Sequence, residues 1–154
     1  MKQFLISLLA VALLSVSSLS RAAQVHFHKH IDESCGIEVI KERGEIHFGR
    51  RFGSDSLTLK LLANNRDKRL YFRLSYFNID MGAETISPER IHFKVETPER
   101  FVGNLDYWRQ GIELNLEQLD SSKEVRISAR VEMNEYQMPA GEFSLNMEWH
   151  LDCY

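Results

Sequence analysis

Three histidines in the stretch QVHFHKHID, His26, His28 and His30, share one register of an extended segment. Side chains two residues apart on a strand leave the same face, about 7 Å from one another. Adjacent pairs could therefore chelate zinc or copper, which take imidazole but need further ligands to complete their geometry. His47, His92 and His150 could supply them, although nothing in their spacing assigns them to one centre. An exposed polar strand face, backed by Val25, Phe27 and Ile31, explains the row without a metal.

Other constellations are sparser. In HFGRRFGS, Arg50 and Arg51 sit between Gly49 and Gly53, a setting that suits an anion and equally suits a basic turn between two strands. The carboxylates are singletons on polar faces, with no pair placed to divide acid and base roles. The chain has no Gly-x-Ser-x-Gly, His-Glu-x-x-His or Cys-x-x-Cys and no phosphate-binding glycine loop. It offers no material for covalent catalysis and implies no cofactor. Tyr107, Trp108, Arg109 and Arg100 fall in segments longer than hairpin turns, 77–91 and 97–111. Long loops on a rigid scaffold often carry binding surfaces, but the two aromatics could equally cap one end of a core.

Residues 1–22 read as a signal peptide. Lys2 forms a short basic start, an apolar run extends from Phe4 to Val16, and Ser20-Arg21-Ala22 fits a small-x-small cleavage site. That run is too short to span a bilayer comfortably. The whole sequence of 154 residues carries a formal charge of −3, and loss of Lys2 and Arg21 makes the remainder more acidic. Such a balance argues against nucleic acid or an anionic membrane as partner. Cys35 and Cys153 are the two cysteines of the chain. An oxidising compartment would join them, tying the start of the exported domain to its end.

The elements that must position these residues are strands. Cys35, Ile37 and Val39 alternate with Gly36, Glu38 and Ile40, and the pattern resumes at Ile46 and Phe48 after a turn at Arg43-Gly44. Further alternating runs carry Leu57, Leu59, Leu61 and Ala63; then Leu70, Phe72, Leu74 and Tyr76; then Ile91, Phe93 and Val95. Ile112, Leu114 and Leu116, then Val125, Ile127, Ala129, Val131 and Met133, continue the series. The last run is the cleanest, with Phe143, Leu145, Met147, Trp149, Leu151 and Cys153 in one register. About seven strands and no helical stripe longer than two turns predict an all-β antiparallel sandwich. A single helical turn is expected around Ser87–Arg90.

The ending PAGEFSLNMEWHLDCY resembles the carboxyl ends of subunits of chaperone–usher pili, the fimbriae of Gram-negative bacteria. Those tend to carry a glycine fourteen residues from the end, here Gly141, then an alternating last strand and an aromatic near the terminus. CGIEVIKERGEIHFG resembles their first strand. The usual penultimate tyrosine is replaced by Cys153. A second cysteine in the last strand is similar to minor tip subunits of Dr-type adhesive fibres.

The resemblance implies an immunoglobulin-like sandwich over residues 35–154, missing its final strand and completed by a strand from another chain. Phe143, Leu145, Met147, Trp149 and Leu151 would line the vacant groove. Residues 23–34 would be an amino-terminal extension, with Val25, Phe27 and Ile31 as donor positions interrupted by Lys29, or an ordinary edge strand. Implied partners are a periplasmic pilus chaperone, an outer-membrane usher, other fimbrial subunits and, for an adhesive subunit, a host receptor. The implied location is a fimbrium at the cell surface, reached through the periplasm. The alternative is a periplasmic sandwich binding metal or a small ligand through its histidine-rich amino terminus. Strands flanking an inserted strand stand about 9.5 Å apart, too far for a disulfide. A Cys35–Cys153 bridge must then lie past the end of the groove or where the first strand crosses over.

Overall fold

A computed structural model describes residues 28–65, 67, 69–80 and 86–154. The chain forms two compact units, 1–31 and 32–154. Of the first, residues 28–31 are described; they belong to no strand and are exposed.

The second unit is a two-sheet β-sandwich. Its strands are β1 (Cys35–Lys41), β2 (Ile46–Phe48), β3 (Leu57–Ala63), β4 (Leu70–Asp80), β5 (Ile91–Glu96), β6 (Arg100–Asn104), β7 (Ile112–Leu114), β8 (Glu124–Val131) and β9 (Ser144–Cys153). One sheet has the order β1-β3-β8-β5-β6, with β2 parallel to β8; the other has the order β7-β4-β9. The other pairings are antiparallel. The arrangement β1-β3-β8-β5 facing β4-β9 is that of strands A-B-E-D facing C-F in an immunoglobulin sandwich. In that sandwich the seventh strand lies beside F. The corresponding edge of β9 pairs with no described strand.

Alternation places Leu59, Leu61 and Ala63 of β3, Phe93 and Val95 of β5 and Val125, Ile127 and Val131 of β8 against Leu70, Phe72 and Leu74 of β4. An aromatic cluster closes the centre: Trp149 stacks on Phe72 at 4.8 Å and meets Phe93 and Trp108 edge-on at 5.9 and 5.4 Å.

The period-2 reading fails at one point. Tyr76, expected inward, is 51% exposed. The β4–β9 register shifts between Leu74 and Tyr76, so Ser75 is an extra residue that turns the rest of the strand over. Phe77 and Ile79 then take the inner face, opposite Met147 and Leu145.

Segment 97–111, read from sequence as a loop, is structured. It holds β6 and a short helix, α1 (Leu105–Gln110). Asn104 caps α1 by accepting the Tyr107 N–H at 3.0 Å, and Gly111, at φ 80°, ends it. Trp108 is fully buried and its Nε1–H donates to the Phe93 carbonyl at 3.1 Å. Tyr107 packs edge-on against it. A Cβ on Gly103 would fall 2.1 Å from the Tyr107 ring, so this ring needs glycine beneath it. The single turn expected near Ser87 is present as a 3-10 turn at Pro88–Arg90.

Candidate functional site

The last strand builds the site. β9 pairs through its whole length with β4, which fixes its register and leaves its other edge unpaired among the described strands. Its inward side chains are not equally covered. Leu151 is buried, whereas Phe143, Leu145, Met147 and Trp149 are each only half-buried. They pack against the core from one side. On the other, Phe143, Leu145 and Met147 line an open cleft of about 860 Å³, whose lining does not include Trp149 or Leu151.

β2 forms the opposite wall, with Ile46 and Phe48 toward the cleft, and Leu57, Ile127 and Ala129 form its floor. Phe143 meets Phe48 edge-on at 5.7 Å. β1, which precedes this wall in the chain and does not itself line the cleft, pairs Cys35, Ile37 and Val39 with Ala63, Leu61 and Leu59, so these three share the inner face of their sheet. Yet Val39 is 57% exposed, while its partner Leu59 is 5% exposed. An inward-facing valine open to solvent means that no element of the described chain covers that stretch of the interior.

The two walls meet at one end. Cys35, the first residue of β1, and Cys153, the last of β9, form a disulfide with Cα atoms 6.1 Å apart. β1 and β9 belong to opposite sheets, so the bridge joins them at the corner of the sandwich and the walls run on from there. Asn64 secures the approach to β1, accepting the Ser34 N–H at 2.8 Å and donating to the Asp32 carbonyl at 2.8 Å.

The far end is wide and acidic. Glu42, Glu45, Asp55 and Glu142 line it with Arg43. Lys41 pairs with Asp55, whose carboxyl also accepts the N–H groups of Glu45 and Ser56 at 3.0 and 2.9 Å. These bonds, the one from Lys41 first, hold Asp55 below the usual carboxylate range.

Of the other residues singled out from sequence, His92, His150, Arg100 and Arg109 do not line this groove. Val25, His26 and Phe27 lie outside the described residues, and His28, His30 and Ile31 are exposed. Among the described residues no group of three His, Cys, Asp or Glu side chains could hold a metal ion. His92 lies 3.2 Å from Glu132, and burial followed by the Arg130 charge pushes its pKa down. His150 contacts Asp152 at 2.9 Å. Arg100 and Arg109 pair with Glu96 and Asp106 at 3.3 and 3.5 Å. Sequence reasoning did not identify β2 as the second wall. Its signal was the short Ile46–Phe48 repeat, separated from β1 by Arg43-Gly44.

No family model, characterised protein or solved structure matches the chain. The reading of the site rests on its geometry and on the sequence resemblance.

Proposed function

We propose that the chain is a structural and adhesive subunit of a chaperone–usher fimbria, completed by a strand donated from another protein. The observation that carries this reading is the open interior beside β9. An unpaired strand edge runs along a row of half-buried apolar side chains, and on the facing wall Val39 points inward into solvent. An extended segment with alternating apolar residues satisfies both features together. Its backbone pairs with the free edge, and its alternate side chains fill the cleft. Uncovered, such an edge is a template for aggregation, which gives the chain a need for a periplasmic chaperone before assembly. The subunit performs no covalent chemistry, and its destination is the cell surface.

The test is export with and without a strand. The mature chain is produced in a bacterial periplasm alone, with a pilus chaperone, or with an alternating apolar strand fused through a flexible linker. Each apolar side chain seated in the cleft contributes about 1.5 kcal/mol or more. The fused form should therefore be a soluble monomer with Tm raised by roughly 10 °C or more, and the chain alone should aggregate or be degraded. A stable monomer whose Tm ignores both chaperone and strand would sink the proposal.

A further inference from the structure

A second cleft lies on the other side of β2. Ile46 and Phe48 face the groove, while His47 between them is exposed on the outer face. There a cleft of about 720 Å³ is lined by His47 and Arg50, by Arg90, and by Asn134, Tyr136 and Gln137.

The backbone around it is held in place. Gly49, at φ 122°, reverses the chain after β2, donates its N–H to the Val131 carbonyl at 2.9 Å and accepts from Arg130 at 3.1 Å. Phe52 then lands between two cations, with Lys94 5.6 Å and Arg130 5.1 Å from its ring. With the turn pinned at both ends, Arg50 and Arg51 are left on its exposed tip. Across the cleft, Arg90 is anchored through its carbonyl, which accepts the Glu132 N–H at 2.8 Å. Asn134 caps the 3-10 turn Glu135–Gln137 by accepting the Tyr136 N–H at 3.1 Å.

Two features of this fixed frame have no structural use. Tyr136 is 96% exposed, so its ring is not packed against the described residues. Arg50 and Arg90 make no ion pair with any described residue, although the chain as a whole is acidic. The local carboxylates do not cancel them: Glu132 is already engaged by His92 at 3.2 Å and Arg130 at 3.5 Å, and Glu135 alone remains on the rim.

We propose that this cleft binds an acidic saccharide. The guanidinium groups of Arg50 and Arg90 take a carboxylate or sulfate in paired, charge-assisted hydrogen bonds. The flat ring of Tyr136 stacks on the apolar face of a pyranose. The free amide donors of Asn134 and Gln137 meet ring hydroxyls. An aromatic platform beside planar hydrogen-bonding groups fits a sugar better than a simple anion, which has no use for the ring. The site supplies a chemistry for adhesion but does not depend on strand docking, because its lining shares only Phe48 with that of the groove.

The experiment titrates the full chain with 3′-sialyllactose, a sulfated heparin disaccharide, neutral lactose and sodium phosphate, followed by calorimetry or saturation-transfer NMR. One or both acidic sugars should bind at least tenfold more tightly than lactose and phosphate, and the stronger of the two identifies the anionic group. Arg50→Ala, Arg90→Ala and Tyr136→Ala should each weaken that binding at least fivefold with unchanged circular dichroism. Tyr136→Phe should stay within twofold of the parent, and a groove-filling peptide should leave sugar affinity unchanged. The proposal is overturned if no sugar binds, if lactose binds as well as the acidic sugars, if phosphate binds as tightly as either, or if Tyr136→Ala has no effect.

Discussion

The two tryptophans show how differently one side chain can be used within a few ångströms. Both belong to the central aromatic cluster, with ring centroids 5.4 Å apart. Trp108 is fully buried and its N–H is bonded to the Phe93 carbonyl. The Nε1 of Trp149 is buried with no hydrogen-bond partner among the described residues. An unmet buried donor costs about 1–3 kcal/mol, and a satisfied one contributes about 1 kcal/mol net. Phenylalanine at either position removes the N–H and a similar ring volume, so the difference between the two variants isolates the hydrogen bond. Trp108→Phe should lower the unfolding free energy by about 2 kcal/mol more than Trp149→Phe. Urea unfolding of both variants checks this, and equal losses would contradict it.

At the scale of elements, the alternation in the sequence was enough to name the sandwich and most of its core. Every inward residue assigned to β3 and β5 is half-buried or buried. What was illegible came from contacts between distant segments. Nothing local to LYFRLSYF marks Ser75 as the bulged residue, because the shift is defined by pairing with β9. α1 is too short for its period to register, though Asn104, Asp106, Arg109 and Gly111 were terminal signals available to be read. The groove was legible as one wall only. Val39 is exposed although it shares a sheet face with buried Leu59, and no pattern within β1 could report that. Here the element makes its own prediction. Val39→Asp places a charge where water already reaches, so it should change the stability of the free chain by less than about 0.5 kcal/mol. In the groove it would bury that charge against an incoming strand, so binding of an alternating apolar peptide should weaken at least tenfold. Fluorescence titration of the peptide with parent and variant measures the second effect, and thermal unfolding the first. A variant that binds the peptide normally would place the docking site elsewhere.

Across the whole molecule, the single disulfide has two available roles, and they predict different things. It spans a sequence separation of 118, so in the unfolded chain it closes nearly the whole described domain into one loop. By chain entropy this contributes on the order of 4–5 kcal/mol, acting through the unfolded state. It also joins the two groove walls at their closed end, where it could instead hold β1 and β9 at the separation a docked strand needs. If the first role governs, replacing both Cys35 and Cys153 with alanine should cost about 2–5 kcal/mol. The urea m-value should rise as the unfolded chain opens further. That loss should be the same within about 0.5 kcal/mol whether or not the groove peptide is bound, because a constraint on the unfolded chain is additive with an interaction in the folded one. If the second role governs, peptide affinity should fall in the double variant as well. The sheet pairings favour the first outcome. β9 is held along its whole length by β4, and β1 from Cys35 to Lys41 by β3, so each wall is placed by its own ladder rather than by the bridge between them.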